Sequence, residues 1–221
     1  VNQGSIVKSN DGTYYTITTP KDYNGNVQIS YGVTDGIATT DATRSFTLTS
    51  VNDAPELTGT PVTLSAGTED FAYTINASDL LQGYSDVEFS SLSLTNLQVN
   101  NGAQITDNGN GTYTITPAAN YNGPIQISYG VTDGTATTNA TRSFTVNAVN
   151  DLPTLTSAQA TLTAGTEDVA YRVNTSDLLQ GFTDADGTLS ISNTISVNQG
   201  SIVKSNDGTY YTITTPKDYN G

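Results

Sequence analysis

The fold class predicted for this chain is all-β: Greek-key β-sandwich domains of about 98 residues, repeated in tandem and arranged end to end. Three observations predict it. The chain repeats itself, because Asn26–Asp53 matches Pro124–Asp151 at 21 of 28 positions, 98 residues on. Large apolar side chains recur at every second position, the period of a strand with one buried face. No long stretch carries the helical period, and turn signals break the apolar runs every few residues.

The repeats set the phase of everything else. Ala66-Gly67-Thr68-Glu69-Asp70 recurs as Ala164-Gly165-Thr166-Glu167-Asp168, and Ser78-Asp79-Leu80-Leu81-Gln82-Gly83 recurs as Ser176-Asp177-Leu178-Leu179-Gln180-Gly181. Val1–Gly25 is identical to Val197–Gly221, an interval of 196 residues, twice 98. The phase therefore puts the back part of one repeat at 1–50, a complete repeat at 51–148, and the front part of the next at 149–221. Such arrays are close to one-dimensional, each unit touching its neighbours.

Within the complete repeat the elements follow in order. Val62/Leu64 and Phe71/Tyr73/Ile75 alternate as early strands, and Ser78-Asp79-Leu80-Leu81 reads as a single capped helical turn. Tyr113/Ile115, then Ile125-Gln126-Ile127-Ser128-Tyr129-Gly130-Val131, then Phe144/Val146 supply the later strands. Asn110-Gly111, Asn122-Gly123 and Asp133-Gly134 mark the turns between them. About seven strands in about 98 residues is the count of a Greek-key sandwich. Tyr23 and Tyr121, each just before Asn-Gly, suit a tyrosine-corner role, and most of the 13 tyrosines sit at alternating strand positions, where packing explains them better than sugar stacking.

Composition removes several function classes. The 221 residues include 21 acidic and 7 basic ones, a formal charge of −14, with no His, Cys, Met or Trp. Without His or Cys there is no imidazole base, thiolate nucleophile or ordinary zinc site, and no disulfide. The charge argues against nucleic acid, which needs a basic footprint. No apolar run approaches a membrane span, so no membrane insertion is expected in this segment. The N-terminus lacks a signal-peptide pattern, and the chain reads as a piece of something longer. Asp79/Asp86 could be drawn as a glycosidase pair, but nothing shapes a cleft around them, and the chain is not expected to be an enzyme.

The acidic residues gather at two proline-stiffened joints, Ser50-Val51-Asn52-Asp53-Ala54-Pro55 and Ala148-Val149-Asn150-Asp151-Leu152-Pro153. Proline fixes its φ and withholds a donor, so the chain is stiff there and strand pairing stops. In a Greek-key sandwich, Glu69 and Asp70 in the early turn face the following joint at Asn150 and Asp151. Asp184 and Asp186, in the loop after the next repeat's second strand, face it too. The upstream joint repeats part of this with Asn52 and Asp53, Asp86 and Glu88, and Asp35 or Asp133 from the Asp-Gly turns. Taken singly, each is an ordinary exposed acid. Taken together they would repel, and a hard divalent cation with oxygen ligands, Ca2+, removes that penalty. Asp107-Asn108-Gly109-Asn110-Gly111 lacks the distal Glu of an EF-hand loop and reads as a hairpin turn.

Val-Asn-Asp-x-Pro, Thr-Glu-Asp, Leu-Leu followed by Asp-x-Asp-Gly, and Tyr-x-Val-x-Asp-Gly recur in order along the whole chain. In this combination the sequence resembles the bacterial cadherin-like (immunoglobulin-like) tandem repeats in the extender regions of giant RTX-type adhesins. The resemblance implies calcium held between domains by Glu69 or Asp70, by Asp184 with Asp186, and by Asn150 with Asp151. The complete repeat departs from it, with Ser85-Asp86-Val87-Glu88 in place of Asp-x-Asp-Gly. The expected function is a structural extender of a secreted bacterial surface adhesin, extracellular on the cell surface, rigidified by calcium so as to project a distal ligand-binding region. The rival expectation is a glycan- or cell-surface-binding module using exposed Thr and Tyr faces. The expected partners are neighbouring repeats, together with head-to-tail complementation between the truncated end fragments.

Overall fold

The computed structural model describes residues 1–89 and 91–219. Nearly all of the regular structure is strand, as the period-two pattern predicts. The chain divides into two compact units. The first holds Val1–Gly67, Phe71–Pro117 and Pro124–Thr145; the second holds Thr68–Asp70, Ala118–Gly123 and Val146–Gly221.

The first unit opens with two hairpins. Strands β1 (Ser5–Lys8) and β2 (Tyr15–Thr18) pair from Ser5 opposite Thr18 to Lys8 opposite Tyr15. Strands β3 (Gly25–Thr34) and β4 (Thr39–Leu48) pair over ten positions, from Gly25 opposite Leu48 to Thr34 opposite Thr39. Next come β5 (Glu56–Leu57), β6 (Gly67–Thr68), β7 (Tyr73–Asn76), the short helix α1 (Ala77–Leu81) and β8 (Tyr84–Ser85). Strands β9 (Ser93–Val99), β10 (Gln104–Asp107), β11 (Thr112–Thr116), β12 (Gly123–Thr132) and β13 (Thr137–Asn147) complete the repeat. They form two layers, β10-β11-β7 and β6-β13-β12-β9, while β5 pairs with β8. Ile75, Leu80, Ile115, Ile125, Ile127 and Val131 fill the space between the layers, and the rings of Tyr73 and Phe144 stack at 4.1 Å.

Several expectations are corrected here. The Val62/Leu64 strand does not form; residues 61–66 carry no strand, and Pro61, which has no N–H, opens that stretch. Phe71 lies in a turn and is exposed, so the strand starts at Tyr73. The helical turn begins one residue before Ser78, and no side chain caps its backbone: Asn76 instead donates to the Asp79 carboxylate at 2.8 Å. Tyr23 donates to the carbonyl of Asn26 at 2.9 Å, downstream of itself, where a tyrosine corner reaches upstream. Strand β9 carries a bulge at Asn96, where φ is +53° and the register against β12 shifts between Ser128 and Gly130.

In the second unit β14 (Thr154–Leu155) pairs with β16 (Phe182–Thr183). Strand β15 (Tyr171–Asn174) leads into the helix α2 (Thr175–Leu179). The layer β15-β18-β17 joins β15 to β17 (Ser201–Lys204) and β18 (Tyr210–Thr214). Val173 and Tyr211 are its buried side chains.

Candidate metal centre

The downstream joint is built wholly within the second unit. Glu69 follows β6 and is fully buried, a position a carboxylate takes only when it is bound on several sides. Its backbone N–H donates to the Asn147 carbonyl at 3.0 Å. One carboxylate oxygen accepts the Val149 N–H, and the other lies 3.4 Å from the Asn122 amide nitrogen. Asp70, beside it, has a left-handed φ of +60° and accepts the Asn120 N–H at 3.0 Å. Thus Thr-Glu-Asp ties the loop 118–123 to the linker. Asp168, its counterpart 98 residues on, accepts the Asp218 N–H at 2.9 Å in the same way.

The linker itself is held from the other side. Asp184 accepts the N–H groups of Asp186 and Gly187 at 3.0 and 2.9 Å, which folds the acidic loop into an Asx turn. That turn aims Asp186 at the Asp151 N–H, which it accepts at 2.5 Å. The Asn150 amide donates to the Asp151 carbonyl at 2.5 Å. Glu69, Asp70, Asn150, Asp151, Asp184 and Asp186 are therefore brought to one place. Burial, and then the negative charges of Asp186, Asp70, Glu69 and Asp184, push the Asp151 carboxyl above its usual range. The Asp151 Oδ2 atom is buried and accepts no hydrogen bond.

The upstream joint repeats this geometry within the first unit. Asp86 accepts the N–H groups of Glu88 and Phe89, both at 2.9 Å, and Glu88 accepts the Asp53 N–H at 3.0 Å. Glu88 thus occupies the role of Asp186, although the local sequence departs from Asp-x-Asp-Gly. The Asn52 amide donates to the Asp53 carbonyl at 2.6 Å and to Asp133 at 2.9 Å. Asp86 Oδ2, like Asp151 Oδ2, is buried with no donor. Of the two Asp-Gly candidates, Asp133 reaches the linker. Asp35 accepts the N–H groups of Ile37 and Ala38 in its own turn, and those bonds hold its carboxyl below the usual range. A cleft of about 260 Å³ opens here, lined by Asp22, Tyr23, Asp53 and Glu88 among others.

Sequence reasoning missed Lys21. It pairs with Asp22 at 3.1 Å, and the charges of Asp22, then Glu56 and Asp53, hold its ammonium above the usual lysine range. The 98-residue equivalent at the downstream joint is Ala119, so the upstream joint carries a positive charge that the downstream one lacks. Asn122 was also missed, because Asn-Gly reads only as a turn signal. Among the described residues no three acidic side chains converge tightly enough to enclose an ion; the Glu69, Asp70, Asp86, Glu88, Asp184 and Asp186 carboxylates are each turned toward a backbone amide. No helix among them is long and apolar enough to cross a membrane.

A family model described as a cadherin-like domain matches residues 1–49, 51–147 and 149–221. No curated protein matches the chain. Among solved structures the chain is similar to the endo-fucoidan hydrolase MfFcnA4 from glycoside hydrolase family 107, at 20% identity and a TM-score of 0.36, over 97% of this chain and 33% of that one. It is also similar to domains 4–9 of the surface layer protein SbsC, at 17% identity and a TM-score of 0.23, over 97% of this chain and 34% of that one. The chain thus spans about a third of the length of either structure.

Proposed function

The chain belongs to the family of cadherin-like domains, and from that premise we propose that it is a calcium-rigidified extender segment of an extracellular bacterial surface adhesin. The work is mechanical and not catalytic: the repeats space a distal ligand-binding region away from the cell, and ions at the joints resist bending. The residues that would hold calcium are Glu69, Asp70, Asn150, Asp151, Asp184 and Asp186 downstream. Upstream they are Asn52, Asp53, Asp86, Glu88 and Asp133. They are oxygen donors throughout, the set a hard cation takes. The ion supplies positive charge where the carboxylates repel one another.

One observation carries the reading. Asp151 is half-buried beside four other carboxylates, its Oδ2 atom lacks a donor, and the single ion pair among the described residues, Lys21 with Asp22, lies at the other joint. A carboxylate oxygen held from water without a partner is a standing cost, and a bound cation would turn that cost into a gain. Extracellular modules bind calcium at roughly 10⁻⁴–10⁻³ M. At a hundredfold excess over Kd, one site then adds about 2.7 kcal/mol to stability.

The test is a thermal melt in calcium and in EGTA, with small-angle scattering under both conditions. The expected result is a higher Tm and a longer, stiffer particle in calcium. Superimposable melts and scattering curves would sink the proposal and bring the glycan-binding module forward, for which a glycan array is the direct assay.

A further inference from the structure

The outer face of the layer β6-β13-β12-β9 carries a polar hollow that neither joint uses, built from two cross-strand rows. In the first row Gln98 lies opposite Ser128. Thr141 continues it on β13, as Thr43 lies opposite Ser30 in the equivalent β3–β4 hairpin. The second row is Asn96, Gly130 and Asn139, with Gly32 opposite Asp41 as the equivalent pair. Asn96 sits at the bulge, at a φ of +53° that Asn adopts more readily than most residues. Gly130 cannot be larger, since an added Cβ would lie 2.7 Å from the methyl groups of Thr95 and Thr137. The second row thus has an amide at each end and no side chain in the middle. A hollow of about 460 Å³ opens there.

Its lining decides what it can hold. Among the described residues, the side chains of Asn96, Gln98, Ser128, Asn139 and Thr141 line it and none of the five is engaged in a hydrogen bond. None of them is charged, and Arg142, beside Thr141 in the chain, lies instead over the Tyr84 ring at 6.0 Å. Each amide offers two donors and an acceptor, and each hydroxyl offers both. Adjacent hydroxyls on a sugar ring call for that mixture. A phosphate, sulfate or carboxylate would meet no cation here, in a chain of formal charge −14. The volume is that of an ordinary small-ligand site.

We infer that this hollow binds a neutral saccharide, held over Gly130 between the Asn96 and Asn139 amides, with Gln98, Ser128 and Thr141 along one side. The extender then also grips neutral glycan, through residues that take no part in the calcium joints. The neighbouring repeats lack the set: Thr194 and Ser196 stand where the complete repeat has Asn96 and Gln98, and Asp41 stands where it has Asn139. The three amides come together in the complete repeat and not in those beside it.

NMR titration of the isotope-labelled chain with cellobiose, maltose and lactose, at constant calcium, tests this. The expected result is a saturable shift of the Asn96, Gln98 and Asn139 side-chain amide signals with at least one of these sugars. Affinity should be millimolar, because the open hollow offers no aromatic ring to stack on. Gln98→Ser with Asn139→Asp copies residues that the neighbouring repeats already carry, so Tm should be kept while affinity falls at least about tenfold. A sulfated form of the sugar that binds should bind less tightly than the neutral one. No shift at these amides with any of the three sugars, an unchanged affinity in the double variant, or tighter binding of the sulfated form overturns the inference. Calcium is constant throughout, so such a failure is distinct from a failure of the calcium reading, which the melt in EGTA decides.

Discussion

A carboxylate partly removed from water and close to other carboxylates is costly when ionised, and Asp151 is in that position. Asp151→Asn should therefore act with opposite signs in two buffers: Tm rises in EGTA, where a repulsion is lost, and falls in calcium, where a ligand is lost. A change of the same sign in both would separate Asp151 from the metal. The pH dependence follows from the same direction. A raised folded pKa means that the native state binds the proton more tightly than the unfolded chain, so this group's contribution is lost as pH rises through the folded value. In EGTA, stability should thus improve as pH falls from neutral toward the carboxylate range. Below that range it should decline, because the turn bonds that hold Asp207 down at about 2, and Asp11, Asp35 and Asp133 below their usual values, break on protonation. A Tm series against pH in EGTA should therefore pass through a mildly acidic maximum. Glu69→Ala is a different case, since it removes the fully buried carboxylate that accepts the Val149 N–H. It should cost about 1–3 kcal/mol with or without calcium, read by denaturant unfolding.

At the scale of elements, the two joints share one design and differ in charge. The Asp53–Glu88 and Asp151–Asp186 bonds are equivalent, so one methylene more in Glu88 is absorbed by the loop. Lys21 upstream and Ala119 downstream are not equivalent. Calorimetric titration should resolve a tighter downstream site and a weaker upstream one, and Lys21→Ala should narrow the gap; indistinguishable sites would show that Lys21 does not matter. Gly83 places another constraint on the complete repeat. Its φ is +89°, and an added Cβ would sit 2.9 Å from the Gly59 carbonyl oxygen. Gly83→Ala should cost about 1–3 kcal/mol. The long strands and the acidic loops were legible because alternation and repetition are carried by single residues: Ile125, Ile127 and Val131 could face only one way. Residues 62–64 were misread because alternation says nothing about where the backbone donors go, and Pro61 removes one. Lys21 escaped notice because its effect depends on Glu56 and Asp53, which only the fold brings near.

For the whole molecule, a formal charge of −14 with carboxylates gathered at joints makes stability depend on the solution. Calcium should act on the joints, whereas simple salt should act only by screening exposed charge. The family is written in every repeat, and its match extends over nearly the whole chain. What lies beside the duplicated segment was not legible in its sequence. Tyr15 and Tyr211 occupy the same place in one 25-residue peptide, yet Tyr15 is 59% exposed and Tyr211 is 2% exposed, because β18 has β15 beside it and β2 has only β1. A protease that cuts after aromatic residues will therefore meet the same peptide twice and treat it differently. Brief digestion should clip after Tyr15 and spare Tyr211, so that a single cleavage reports which copy of an identical sequence has a sheet to belong to.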